Sequence, residues 1–151
     1  MPQFVVLRHD LPPGQPRGVH WDFMLEDEDS GTLRTWSLPE PPAAGTVLIA
    51  EALSDHRLDY LVFEGPISGG RGSVTRWDRG TYELLGRTSR ELVFELCGTR
   101  LRGRARLTRQ AETDQRWRLL LESSGAMATG LKPGSQTGES AAPPRVVRPA
   151  T

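Results

Sequence analysis

The sequence predicts an all-β protein, mainly antiparallel, folded as a small closed or partly open β barrel with short helical turns. Three observations lead there. Short segments rich in Val, Leu, Phe, Trp and Thr recur between turn clusters. The 16 glycines and 12 prolines are too many for a helical bundle, because both residues interrupt helices and both serve turns. No long stretch keeps helical spacing once those residues are taken into account.

The expected strands follow in chain order. Gln3 to Leu7 is a short apolar run, and Val19 to Glu26 alternates so that His20 and Asp22 share one face while Val19, Trp21 and Phe23 share the other. Thr32 to Trp36, Val47 to Ala52, Ser73 to Trp77 and Gly80 to Leu85 come next, the last two separated by an expected Asp78-Arg79-Gly80 turn. Glu91 to Leu96, Leu101 to Thr108 and Trp117 to Glu122 complete a number of strands that fits a barrel or sandwich. The connections Leu11 to Gly18, Pro39 to Gly45 and Gly65 to Gly72 are loaded with Gly or Pro, and the 53–61 stretch is the place for a helical turn. From Ser123 the apolar alternation stops. The expected organisation is one domain over 1–122 and a disordered Ser, Gly, Ala and Pro tail over 123–151, serving as a tether or as a plain extension.

Composition narrows the function classes. A chain of 151 residues and 16.7 kDa supports one modest core, and its 19 basic and 19 acidic residues cancel, so no polybasic arm defines it. The lone Cys97 forms neither an internal disulfide nor a thiolate zinc site. No apolar run is long enough to span a membrane, and the start MPQFVVLRHD lacks the zones of a signal peptide, so no membrane association and a cytoplasmic location are expected.

The three histidines, His9, His20 and His56, all lie in the first half of the chain, close to Asp10, Asp22, Asp55, Asp59 and Tyr60. A short barrel that brings His9 beside the His20–Asp22 pair makes a two-His, one-carboxylate site suited to manganese, iron or zinc. The same spacing also fits a surface hydrogen bond between His20 and Asp22, with His9 capping a loop. His56 and Tyr60 share a side if their segment is helical, where the imidazole can protonate a leaving oxygen and the phenol can hold an anion. They also fit a turn whose tyrosine packs on the core. Arg100, Arg102, Arg104 and Arg106 alternate with Leu101, Gly103, Ala105 and Leu107, which puts guanidinium groups on one strand face. That row suits successive phosphates of a nucleic acid, or is a solvated outer face. The Gly65–Gly72 loop lacks a Walker lysine and a following helix, so it reads first as a strand connection.

Taken together, these residues resemble the 3′-phosphoesterase domain of bacterial DNA ligase D from about Phe4 to Glu122. The pieces that carry the resemblance are Phe4-Val5-Val6-Leu7-Arg8-His9-Asp10, His20-Trp21-Asp22-Phe23-Met24-Leu25-Glu26 and Leu33-Arg34-Thr35-Trp36-Ser37-Leu38-Pro39. Asp55-His56-Arg57-Leu58-Asp59-Tyr60, Phe63-Glu64-Gly65 and Trp77-Asp78-Arg79-Gly80-Thr81-Tyr82-Glu83 follow in the same order. The resemblance implies a small β barrel with a polar site at one side. It also implies manganese, with zinc or another divalent ion as the alternative, held by His9, His20 and Asp22, and action by His56 and Tyr60 at the scissile phosphate. The implied substrates are nucleic-acid 3′ ends carrying a terminal ribonucleoside or a 3′-phosphate, met in DNA repair beside a separate ligase or polymerase. The alternatives are a catalytically weak end-binding module and a small-molecule phosphoesterase on the same barrel.

The departures from the family pattern are specific. Met24 stands where the family has an arginine, Glu40 where it has a lysine, Leu48 where it has a second arginine, and Ser54 where it has an acidic residue. Losing a cation that neutralises transition-state charge costs on the order of 10² to 10³ in rate for each fully engaged donor. The loop between His9 and His20 is also longer than usual and contains Pro12, Pro13, Gly14 and Pro16.

Overall fold

The computed structural model describes residues 1–15 and 18–122. The expected tail over 123–151, and with it the proposed domain boundary, lies outside the described residues. Within them the chain forms β1 (Gln3–Asp10), β2 (His20–Asp27), β3 (Thr32–Leu38) and β4 (Val47–His56), then a 3-10 turn (Leu58–Leu61). A two-residue β5 (Gly65–Pro66), the long β6 (Ser73–Arg87), β7 (Glu91–Gly98), β8 (Arg102–Thr108) and β9 (Arg116–Leu121) follow. Among the described residues no helix is long and apolar enough to cross a membrane.

The strands form a closed antiparallel barrel in the order β1-β2-β3-β4-β9-β8-β7-β6, with β6 returning to pair with β1 and β5 added beside β6. Closure leaves no unpaired wall edge. The interior is filled by alternate residues, including Phe4, Phe23, Trp36, Phe94, Leu107 and Trp117. Trp36 and Trp117 meet edge to face at 5.7 Å, and Phe23 stacks on Phe94 at 6.0 Å.

A second, smaller core lies on the outside of the wall. Val5, Leu7, Met24, Leu33 and Val74 face outward there and are covered by Leu61 of the 3-10 turn, with Tyr60 and Ile67 against them. This explains the unbroken Phe4-Val5-Val6-Leu7 run, all of it fully buried: the strand has apolar cover on both faces and so shows no alternation. The segment joining β4 to β6 therefore acts as a lid over the outer face of β1 and β2, the face that also carries His9, His20 and Asp22.

Two expectations are corrected. The segments 73–77 and 80–85 are not separate strands: Asp78-Arg79-Gly80 lies inside β6, where the register against β1 shifts between Val6 and Leu7. The residues that suggested a turn serve other needs. A Cβ at position 80 would lie 2.0 Å from the Cys97 carbonyl oxygen, so Gly80 permits the close approach of β7. The Asp78 carboxylate is buried and accepts hydrogen bonds from the backbone N–H groups of Thr99 (2.9 Å), Arg100 (3.1 Å) and Leu101 (2.8 Å), closing the β7–β8 connection. The second correction concerns Leu48, which packs in the barrel interior and so faces away from the outer site.

Candidate metal centre

The centre begins from register. In the β1–β2 ladder His9 stands opposite His20, and Leu7 stands opposite Asp22. Alternation then puts His9, His20 and Asp22 on the same outer face, and one ligand atom from each lies within 4.8 Å of the others. The ring centroids of His9 and His20 are 4.6 Å apart, and His9 Nδ1 is 3.3 Å from Asp22 Oδ2. His20 Nε2 lies 3.3 Å from Asp22 Oδ1, close enough for charge attraction but off the line a hydrogen bond needs.

Both His20 and Asp22 are buried. His20 Nδ1 and Asp22 Oδ1 have no hydrogen-bond partner among the described residues, an arrangement that is costly for buried polar atoms. His9 adds a second constraint. Its Nε2 is 2.8 Å from the Arg71 carbonyl, which only accepts, so Nε2 carries a proton, and when the ring is neutral its Nδ1 presents a lone pair to the Asp22 carboxylate. Two lone pairs at that distance call for a cation or a second proton between them. The donor set of two imidazoles and one carboxylate therefore fits a divalent ion such as manganese or zinc.

Asp22 supports this electrostatically. Burial alone would raise its carboxyl, but in the metal-free protein the close polar contacts of His20 and His9, and their positive charge when protonated, more than offset that and bring it down from 3.8 to about 2. Because the folded value is depressed, the associated stability is fully present above about pH 5 and is lost as pH falls through about 2. It amounts to on the order of 2 kcal/mol in the metal-free protein. In urea titrations of chelator-treated protein, the stability gap between wild type and Asp22→Asn is expected to narrow steadily below about pH 4. A gap independent of pH would remove Asp22 as the charged partner of the histidines.

The Gly65–Gly72 loop contributes what its sequence does not announce. Ile67 N–H donates to the Gly72 carbonyl at 2.8 Å, and the loop passes close over β1. Gly72 has φ +88°, and a Cβ there would lie 2.0 Å from the Asp10 carbonyl oxygen, so only glycine lets Arg71 reach His9. Gly72→Ala is accordingly expected to weaken divalent-ion affinity by about 10- to 100-fold through misplacement of His9. Equilibrium dialysis with manganese checks this, and unchanged affinity would show that the Arg71 contact is dispensable.

His56 and Tyr60 are brought together, with ring centroids 5.3 Å apart and edge to face, although His56 ends a strand and is not part of a helix. His56 pairs with Leu33, whereas Asp22 pairs with Ser37, four residues further along β3 and so about 13 Å away at the rise of a strand. Met24, opposite Thr35, lies between them and is buried in the outer core. The candidate site is thus a stripe, with the candidate metal ligands at one end and the His56–Tyr60 pair at the other. Ser37 and Glu51 continue the Asp22 row across β3 and β4, a neighbourhood that only register reveals.

The arginine row lies elsewhere on the wall, since β8 is separated from β1 by β7 and β6. Arg102 and Arg104 are exposed. Arg104 lies 3.7 Å from Glu95, and Arg106 lies 2.7 Å from Glu91 and 3.7 Å from Glu122. Arg100 precedes the strand, with its guanidinium 4.9 Å from the Trp77 ring centre. Two of the four arginines are therefore already facing carboxylates.

Comparison with known proteins agrees with this geometry. Residues 13–109 match the sequence profile of the DNA ligase D 3′-phosphoesterase domain. The chain belongs to this family. That profile match includes His20, Asp22, His56 and Tyr60 but begins after His9, which the β1–β2 register places opposite His20. The chain is 36% identical over 117 residues to the multifunctional non-homologous end joining protein LigD of Pseudomonas aeruginosa, covering 71% of this chain and 13% of that protein. It is 34% identical over 115 residues to the corresponding protein of Mycobacterium bovis, covering 70% and 14%. A Mycolicibacterium smegmatis protein of the same name is 31% identical over 86 residues. The chain thus spans about one seventh of the length of the first two relatives.

Proposed function

We propose that this protein is a divalent-cation-dependent 3′-phosphoesterase that clears nucleic-acid 3′ ends, removing a terminal ribonucleoside or a 3′-phosphate in end-joining DNA repair. The observation that carries the proposal is the convergence of His9, His20 and Asp22, with two buried polar atoms of His20 and Asp22 lacking hydrogen-bond partners among the described residues, in a chain of the 3′-phosphoesterase family. The relatives are named for non-homologous end joining, which supplies the repair setting and suggests action beside a ligase or polymerase.

His9, His20 and Asp22 would hold manganese, or zinc in its place. The bound ion would polarise a phosphoryl oxygen and neutralise charge that develops on it. Asp22 stays ionised because both imidazoles favour its charged form. The Arg71 carbonyl fixes the orientation of His9. His56 Nδ1 lies 3.0 Å from the Ser54 carbonyl, so it donates there and leaves Nε2 to meet a phosphate oxygen of the bound strand at the other end of the stripe. Tyr60 backs that ring from one side and Phe63 backs Tyr60.

One observation favours a second reading, a weakly catalytic module that binds ends. Met24 occupies the middle of the stripe, almost fully buried, where the family resemblance places an arginine. The exposed Arg102 on β8 would then contribute to holding the strand, with Arg100, Arg104 and Arg106 beside it. The two readings part on one assay, release of inorganic phosphate from a DNA duplex ending in a 3′-phosphate, with and without manganese. Manganese-dependent release supports the esterase. Binding of the duplex without release supports the module.

A further inference from the structure

A cavity of about 430 Å³ opens at the barrel end formed by the β2–β3, β6–β7 and β8–β9 connections, at the far end of β2 from His20. Its lining is Arg34, Arg87, Thr88, Ser89, Arg109 and Trp117, with no carboxylate among them, and the acidic Glu26–Asp29 hairpin lines a separate hollow on the other side of Arg34 and Arg87. Three guanidinium groups from three separate places in the chain therefore share one opening. In a protein with no net charge, that concentration is local and requires an explanation.

The arginines are held in place by groups that leave their charge intact. The Arg34 guanidinium lies 5.1 Å from the Trp36 ring centre and 5.9 Å from that of Trp117, and Arg109 lies 4.4 Å from Trp117. Arg109 donates from Nε to the Ser89 carbonyl at 2.8 Å and from a terminal nitrogen to the Asp114 carbonyl at 3.0 Å. These neutral acceptors orient the fork without neutralising it. The Arg34 and Arg87 guanidinium groups make no hydrogen bond and no ion pair with other described residues. Burial and the charge of Arg87 push the Arg34 guanidinium below its ordinary range, Arg109 adds to this, and Asp55 and Asp27 offset only part of it. An anion in the cavity would relieve this crowding of like charges.

We propose that this cavity is a phosphate-binding site, separate from the metal centre, that takes a phosphoryl or diphosphoryl group between the Arg34, Arg87 and Arg109 forks. Guanidinium forks match phosphate oxygens bidentately, and a group carrying two charges answers three cations better than a carboxylate does. The Thr88 and Ser89 hydroxyls at the β6–β7 turn add neutral donors. The phosphate comes either from a nucleic-acid backbone or from a free phosphorylated small molecule. The proposal stands independently of the function assigned to the His9–His20–Asp22 cluster.

The test is calorimetric titration of the full chain, treated with chelator, with inorganic pyrophosphate and, in a second arm, with a single-stranded DNA oligonucleotide. Pyrophosphate is expected to bind one to one. Arg87→Gln, at an exposed position, should weaken it roughly tenfold or more, and Arg34→Gln with Arg87→Gln should abolish it. His20→Ala and Arg102→Gln should leave it unchanged, with thermal melts checking that every variant is folded. Parallel loss of oligonucleotide binding assigns the phosphate to a nucleic-acid backbone, and loss of pyrophosphate binding alone assigns it to a small molecule. Absence of pyrophosphate binding, binding unaffected by both cavity variants, or equal weakening by Arg102→Gln overturns the site.

Discussion

Replacing His20 by alanine is expected to remove the bound divalent ion and to lower 3′-end cleavage on the order of 10³-fold, while the barrel stays folded. The expectation follows from which face each β2 residue occupies. His20 and Asp22 point outward, while Phe23 and the partly buried Trp21 belong to the interior core, so truncation at position 20 empties the metal centre without opening the barrel. Metal content by mass spectrometry of the native protein, read beside a thermal melt, separates loss of a ligand from loss of fold. Unchanged manganese content in a folded His20→Ala protein would refute the assignment. A drop in cleavage with metal retained would instead move His20 to contact with the substrate.

The largest effect on stability is expected at Asp78, far from any candidate ligand. Its carboxylate satisfies three successive N–H groups, of Thr99, Arg100 and Leu101, at a buried position. Asp78→Ala leaves those donors without partners. At about 1 to 3 kcal/mol for a buried donor, and with some of them reaching water, the loss is about 4 kcal/mol. For a domain of this size that corresponds to a fall of roughly 10 °C or more in Tm. Asp78→Asn keeps an acceptor and should lose less. Calorimetry on both variants checks the order, and a loss under about 1 kcal/mol in Asp78→Ala would mean that the β7–β8 connection does not depend on this carboxylate.

The same residue explains part of what the sequence concealed. Asp-Arg-Gly is a strong turn signal, and here it sits inside a strand because Gly80 is needed for closeness to β7 and Asp78 for a connection 21 to 23 residues downstream. Local propensity cannot register a partner at that distance. Alternation was reliable where one face is covered: it placed β7 and β8 well and put His20 and Asp22 together. It failed on β1, where cover on both faces gives an unbroken apolar run, and the outer core with its lid was therefore invisible.

For the site, the convergence of His9, His20 and Asp22 was legible because His9 and His20 form the first pair across a single β1–β2 connection. The Arg71 carbonyl was not legible, since a backbone atom sixty-two positions away carries no side-chain signature, and Gly72 read only as a loop residue. Met24 lies two residues beyond Asp22 and so on the same strand face, but its burial in the outer core depends on Leu61 folding back, which spacing does not encode. Leu48 was read as a site substitution through resemblance alone, and its interior position follows from the β4 register against β9.

The central claim is that His9, His20 and Asp22 form a metal centre that works on a nucleic-acid 3′ end. Its most direct test is single-turnover trimming of a 5′-labelled primer-template ending in one ribonucleotide, run with wild type and His9→Ala across a manganese titration. The account predicts trimming that rises with manganese in the wild type and is absent in His9→Ala at every concentration. Trimming without manganese, or equal trimming by the two proteins, would contradict it.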